Sequence, residues 1–250
     1  MLKTRIIPTL LWKNTVLVKD IAFKSERVVG TILPSVKVYN TRQVDELIVL
    51  DITASNSNRE PDYQTVEEFS CECFMPLTVG GGIKNIEHVR NLLKSGADKV
   101  ALNSAALENP KMISEIANIF GNQVLVISID VKKHGGDYFC YSHSGAKRSE
   151  KKVEELALEA AKLGAGEILI TSIERDGTMQ GYDLELIEKV SKLVSIPVIA
   201  HGGCKNYEDM YLALKSGANA ISAASIFHFT EQTPLEAKKY LKNKGIPTRN

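Results

Sequence analysis

No apolar run in this 250-residue chain approaches the roughly 20 residues that a membrane-spanning helix needs, so no membrane partner is expected. Neither sign of charge prevails: 31 Lys and Arg stand against 30 Asp and Glu, for a net charge of +1. No basic stripe stands out along the chain, which argues against nucleic acid as a partner. Cysteine is scarce. Cys71, Cys73, Cys140 and Cys204 fit neither a disulfide framework nor a zinc spacing. Cys71 and Cys73 read as small helix-side residues, and no metal or cofactor is expected. Met1-Leu2-Lys3-Thr4-Arg5 runs straight into a strand-like segment, leaving no room for a leader peptide. A soluble protein of the reducing cytoplasm is the expectation, long enough to bury a full core.

The chain does contain a duplication. GGIKNIEHVRNLLKSGADKVALNSAA, from Gly81 to Ala106, recurs as GGCKNYEDMYLALKSGANAISAASIF, from Gly202 to Phe227, at the constant offset 202 − 81 = 121. An internal period of about half the chain implies two related halves. Each copy passes from a Gly-rich turn through an amphipathic helix and a short strand to a serine, Ser104 or Ser225. Glycines, free amides and a hydroxyl at a strand–helix junction suit a phosphate group. Two such cradles predict a ligand carrying a phosphate at each end.

Short β-branched runs alternate with helix-period segments throughout. Strands are expected at Arg5–Leu11, Glu46–Ile52, Pro76–Gly81, Lys99–Ser104, Val124–Asp130, Glu167–Ile173, Pro197–Gly203 and Ala220–Ser225. Helical periodicity covers Thr65–Cys73, Ile86–Ser95, Pro110–Phe120, Lys152–Leu163, Leu184–Leu193 and Tyr207–Ser216. Eight strands in strict alternation predict one (β/α)8 TIM-type barrel spanning residues 1–250, built from two similar half-barrels. Two connections are long. Trp12–Thr31 carries Lys19, and Val131–Lys151 contains the hairpin-like run GGDYFCYSHSG. Both follow strand C-termini, the face where barrels do their chemistry, so both are candidate lids.

Side chains two apart share a strand face. Arg5, Ile7, Thr9 and Leu11 form one such line; Lys99, Ala101 and Asn103 another; Glu167, Leu169 and Thr171 a third. With Glu46, which opens the second strand, two cations and two anions are expected to gather at the barrel's lower mouth. Spacing alone makes them either a stabilising ion network or a functional ring. At the upper mouth Asp130 ends the fifth strand and is a candidate general acid or base. Asp51, Thr171 and Asp176 lie beside it, and the two carboxylates could equally cap loops.

The motifs RIIPTL, ELIVLDITAS, TVGGGI, ADKVALNSAA, ISID, AGEILITSIERDGTMQGYD and AASIFHF run nearly end to end. Through them the chain resembles the cyclase subunit of imidazole glycerol phosphate synthase. That family cyclises a bisphosphorylated ribulosyl aminoimidazole carboxamide nucleotide with ammonia released from glutamine by a separate glutaminase subunit. The resemblance implies one phosphate at Gly82, Asn103 and Ser104, and the other at Gly177, Gly203, Ala224 and Ser225. It places Lys19 in a mobile first loop, and Asp51, Thr171 and Asp176 around the pocket. Asp130 becomes one of two catalytic aspartates. Arg5, Glu46, Lys99 and Glu167 become the gate through which ammonia enters, with Asp98 on the glutaminase-facing side.

One position departs from the family. Its first strand ordinarily ends Cys-Leu-Asp, whereas here it ends Thr9-Leu10-Leu11. Leu11 takes the place of the second catalytic aspartate and cannot carry a proton. The substitution resembles a branch found with surface-polysaccharide genes. There a barrel and its glutaminase supply ammonia to a third protein, an amidotransferase that converts an N-acetyl sugar to an acetamidino sugar. Ammonia supply of this kind is the favoured role. An authentic cyclase of histidine biosynthesis and a non-catalytic ammonia conduit are the alternatives.

Overall fold

The computed structural model describes residues 3–249, so Met1, Leu2 and Asn250 lie outside the described residues. The chain begins with β1 (Arg5–Lys13), β2 (Val16–Ile21) and β3 (Lys24–Gly30), then α1 (Ile32–Thr41), β4 (Leu47–Asp51), α2 (Tyr63–Ser70), β5 (Leu77–Gly80) and α3 (Ile86–Lys94). Next come β6 (Lys99–Leu102), α4 (Ser104–Glu108), α5 (Lys111–Phe120), β7 (Leu125–His134), β8 (Asp137–Ser142), β9 (Lys147–Lys152) and α6 (Val153–Lys162). The remainder is β10 (Glu167–Ser172), α7 (Leu184–Leu193), β11 (Val198–His201), α8 (Tyr207–Lys215), β12 (Ala220–Ala223), α9 (Ser225–Phe229) and α10 (Pro234–Asn243).

Strands β1, β4, β5, β6, β7, β10, β11 and β12 are parallel neighbours in that order, and β12 pairs back to β1, closing a barrel. The expected fold is the observed one. Each strand is buried on both faces, as a parallel sheet wrapped in helices requires. Ile6, Leu10, Leu47 and Val49 face the helix layer within the larger core. Ile7, Ile48, Ala101, Val126, Leu169, Ile199 and Ala220 form a second apolar cluster inside the barrel. Period-2 alternation is what separates these two cores.

The duplication is structural as well as sequential. Asn85 caps α3 by accepting the His88 N–H at 2.9 Å, and Asn206 caps α8 by accepting the Asp209 N–H at 3.0 Å. Such caps satisfy amides that the first turn leaves free. Gly96 (φ 100°) and Gly217 (φ 107°) then end the turns after these helices in the left-handed region. One residue ahead of β6, Asp98 accepts the Leu77 N–H at 2.8 Å; Asn219, ahead of β12, accepts the Val198 N–H at 2.9 Å.

Both long connections prove to be antiparallel hairpins. β2 and β3 fold back on β1, and β8 and β9 on β7. Lys19 therefore sits on a paired strand, β2, where the family resemblance implied a mobile loop.

Candidate functional site

Arg5, Glu46, Lys99 and Glu167 do meet at the N-terminal mouth of the barrel. Arg5 Nη1 donates to Glu46 Oε1 at 2.8 Å and to Glu167 Oε1 at 2.9 Å. Lys99 Nζ closes the circuit on Glu46 Oε2 at 3.3 Å and on Glu167 Oε1 at 3.1 Å. Cation and anion thus alternate around a ring whose side chains are only 5–16% exposed. Burial alone would lower the Arg5 pKa, but Glu167 and Glu46 outweigh it and hold the guanidinium above its ordinary range. Asp98 lies on the same mouth, and its Oδ2 accepts the Leu77 N–H. It braces the start of β5 as well as facing outward.

At the opposite mouth, Leu11, Leu50, Asp51, Gly82, Asn103, Ser104, Asp130, Thr171, Asp176 and His201 line one large pocket. Gly177, Gly203, Ala224 and Ser225 line a smaller one beside it, and Asp176 and His201 form the wall shared by both. The two predicted cradles are therefore adjacent parts of one cleft. Each lies where a short helix begins, α4 at Ser104 and α9 at Ser225, with first-turn amides lacking intrahelical partners. Asn103 donates to the Ser128 carbonyl at 3.1 Å and the Tyr141 carbonyl at 3.0 Å, and its amide nitrogen is 3.3 Å from Asp130 Oδ2. Ser104 Oγ accepts the His143 N–H at 3.0 Å.

Strand parity delivers the carboxyl to the cleft. Ser128 and Asp130 point into the barrel alongside Thr171, which pairs with Asp130 across β7 and β10. Burial pushes the Asp130 carboxyl up to about 7, against the opposing hydroxyls of Thr171 and Ser128 and with Asp176 adding to the rise. A carboxyl that titrates near neutrality is suited to give and take protons. Asp176 is raised to about 6 by burial, with Lys19 pulling the other way. His201 Nδ1 contacts Ser222 Oγ at 3.0 Å and its Nε2 lies 3.7 Å from Asp176 Oδ1. Burial, with Lys19 nearby, depresses the His201 pKa to about 4, so the imidazole is neutral at pH 7.

Asp51 is occupied differently. Its Oδ1 accepts from Thr53 N (2.9 Å), Thr53 Oγ1 (2.8 Å) and Ala54 N (3.0 Å), and its Oδ2 takes Arg59 Nη2 at 2.7 Å. It is a loop-ordering carboxylate at the pocket wall. Lys19 is buried, donates to the Thr9 carbonyl at 2.9 Å, and has its pKa lowered to about 8 by burial against the pull of Asp176 and Asp20. Leu11 is 6% exposed and contributes an apolar surface to the pocket where the resemblance implies a carboxylate.

The hairpins roof this cleft. Ala22 N–H donates to the Asp176 carbonyl at 2.8 Å. A Cβ on Gly177 (φ +71°) would lie 1.9 Å from the Asp20 carbonyl oxygen, so the close approach of the first hairpin explains this glycine. A Cβ on Gly145, in the turn between β8 and β9, would lie 2.9 Å from Phe23 Cδ2, so the two hairpins touch above the pocket. Asp20 and His201 line the pocket, and Ser222 holds His201; motif reading missed all three. Parity along β11 and β12 would have found the last two; Asp20 sits on a hairpin that no periodicity announced.

The profile of the histidine biosynthesis protein family matches residues 5–233. The chain is 47% identical over 250 residues to the imidazole glycerol phosphate synthase subunit HisF of Chlorobaculum parvum, covering 100% of both. It is 48% identical over 250 residues to the subunit of that name from Dictyoglomus thermophilum, covering 100% of this chain and 99% of the other. A Campylobacter jejuni protein named "Putative imidazole glycerol phosphate synthase subunit hisF2" is 48% identical over 249 residues, with 100% and 99% coverage.

Proposed function

The chain belongs to the histidine biosynthesis protein family, and from that premise we propose that it is the HisF-type cyclase subunit of a glutamine-dependent amidotransferase of the imidazole glycerol phosphate synthase type. Ammonia from a glutaminase subunit enters at the ring of Arg5, Glu46, Lys99 and Glu167 and travels up the barrel. It meets a bisphosphorylated ligand held between the cradles at Gly82, Asn103 and Ser104 and at Gly177, Gly203, Ala224 and Ser225. Asp130 moves protons there. One observation supports this reading: a single barrel axis has a matched ion ring at one end and, at the other, two adjoining pockets lined by glycines and serines beside a carboxyl pushed up to about 7.

The interior supports it chemically. Between ring and cleft the barrel interior is mainly aliphatic side chains and alanines, with the hydroxyls of Thr9 and Ser222 bonded to each other, a medium that accepts neutral ammonia and rejects ammonium, whose desolvation is far costlier. The ligand's phosphates fix its reacting carbons against Asp130, and the roofing hairpins exclude water. Turnover of the bisphosphorylated nucleotide by the purified chain with free ammonium and no glutaminase is the test. Turnover is expected, and its complete absence at saturating ammonium would sink cyclisation.

Leu11 favours a second reading, in which ammonia passes onward to a third protein that amidates an N-acetyl sugar of a surface polysaccharide. On that reading the chain binds its glutaminase tightly, barely turns over the nucleotide and fails to rescue a histidine auxotroph. A pure conduit differs again: Asp130→Asn would leave ammonia transfer unchanged, while Arg5→Ala would disrupt it. The carboxyls crowded into the cleft support consumption of ammonia within it.

A further inference from the structure

Asp20 holds a buried carboxyl oxygen that no hydrogen bond from the described residues answers. It projects from β2 and is 8% exposed, and its Oδ1 is buried with no hydrogen-bond partner among the described residues. Lys19 attracts it through space but makes no hydrogen bond to it, its Nζ donating instead to the Thr9 carbonyl. A buried polar oxygen without a partner is destabilising. The backbone that holds it is nevertheless firmly placed. Leu11 pairs with Val18 across β1 and β2, Ala22 N–H bonds the Asp176 carbonyl at 2.8 Å, and Gly177 has no side chain to obstruct the Asp20 carbonyl. Asp20 lines the same pocket as Leu11, Asp130, Thr171 and His201.

We propose that Asp20 is the second proton-transferring carboxyl of this site, entering from the hairpin where Leu11 leaves none on the strand. The inference rests on the cyclisation reading. Burial, reinforced by Asp176, holds the Asp20 carboxyl at about 7, the same range as Asp130. Near neutral pH a carboxyl in this range is part protonated and part ionised, so one can give a proton while the other takes one.

The step they serve balances without a further reagent. As ammonia adds to a carbonyl carbon, a C–N bond forms and the C=O electron pair moves to oxygen. The ionised carboxylate takes a proton from the new ammonium nitrogen, and the protonated carboxyl gives one to the oxygen. When the C–O bond breaks, the carboxyl that took the ammonium proton gives it to the departing oxygen, which leaves as water; the nitrogen lone pair forms the C=N bond, and the iminium nitrogen gives its extra proton to the other carboxylate. Each carboxyl thereby ends the cycle as it began. Nothing is oxidised or reduced.

The experiment uses the full chain, the bisphosphorylated nucleotide and saturating ammonium chloride. Asp20→Asn keeps the side-chain shape and should lower kcat by about 10²-fold or more while KM moves by less than about threefold. In that background Leu11→Asp returns a carboxylate to the strand and should recover at least about tenfold of the lost kcat. The pH profile of the unmodified chain should have two limbs, and that of Asp20→Asn only one. An unchanged kcat in Asp20→Asn overturns the role of Asp20 and leaves cyclisation standing. A loss that keeps both limbs and is not recovered by Leu11→Asp assigns Asp20 a merely structural part, and also overturns it. No turnover by the unmodified chain overturns both.

Discussion

The two mouths of the barrel bury ionisable groups in opposite ways. At the lower mouth each charge has a counter-charge on both sides, two cations against two anions in a closed ring. At the upper mouth Asp20, Asp130 and Asp176 line one cleft, and the buried lysine near them, Lys19, makes its own hydrogen bond to a backbone carbonyl. The carboxyls are consequently pushed up to about 7, 7 and 6. Burial with a matched partner produces permanent ions that hold a geometry; burial without one produces groups that exchange protons near neutral pH.

Removing the titrating group should have the largest effect. Asp130→Asn is expected to reduce ammonium-dependent turnover by about 10²–10⁴-fold, some 3–5 kcal/mol of barrier, with the fold intact by circular dichroism. Breaking the ring should damage the other end. Arg5→Ala leaves Glu46 and Glu167 sharing Lys99 alone and should cost about 3–5 kcal/mol of stability by urea unfolding. Glutamine-driven turnover in the assembled complex should fall more than ammonium-driven turnover. Equal losses from both nitrogen sources would mean that the ring only stabilises.

The contrast also has a pH signature. An unfolded aspartate titrates near about 3.9, so between there and about 7 the folded chain holds protons that the unfolded chain has released. Stability should fall as pH rises across that window. Lys19, lowered to about 8, acts the other way: above about 8 the folded chain has lost a proton that the unfolded chain keeps to about 10.4, and stability should recover. Thermal melts from pH 4 to pH 10 would show this, and Asp130→Asn should flatten the first limb.

Gly177→Ala tests the roof. An alanine at φ +71° costs about 1–2 kcal/mol and would displace the Asp20 backbone, so KM for the nucleotide should rise with the hairpin no longer seated. The smallest effect belongs to Asp98→Asn. An amide oxygen can still accept the Leu77 N–H, as Asn219 does at the equivalent place, so stability should change by less than about 0.5 kcal/mol. A selective loss of glutaminase affinity would then mark Asp98 as a contact residue.

These regions were unequally legible in the sequence. The ring could be read because side-chain alternation is a rigid rule: once Ile7 faces inward, so do Arg5 and Leu11. The paired Gly-rich turns were legible because one half of the chain repeats the other. The hairpin after β7 announced its turn with Gly135-Gly136, both at positive φ. The hairpin after β1 did not. Its turn uses Ala22 (φ 52°) and Phe23 (φ 60°), non-glycine residues in a conformation they seldom adopt. Its strands, VLVKDI and KSERVVG, group apolar and polar residues in runs, with no alternation to betray a buried face. Asp20 was hidden for that reason. Helices α4 and α9, five residues each, are too short to show a period, and α1 and α10 lie outside the segments that periodicity singles out.

The duplication has a mechanical consequence. The cradle of β5 and β6 belongs to one half-barrel and that of β11 and β12 to the other, so a ligand with a phosphate in each would rivet the halves together. Inorganic phosphate, held by one half at a time, would lack that bracing. Binding to the folded state alone raises the melting point by mass action. A bisphosphorylated molecule should therefore raise it much further than two equivalents of inorganic phosphate, and should slow unfolding as well.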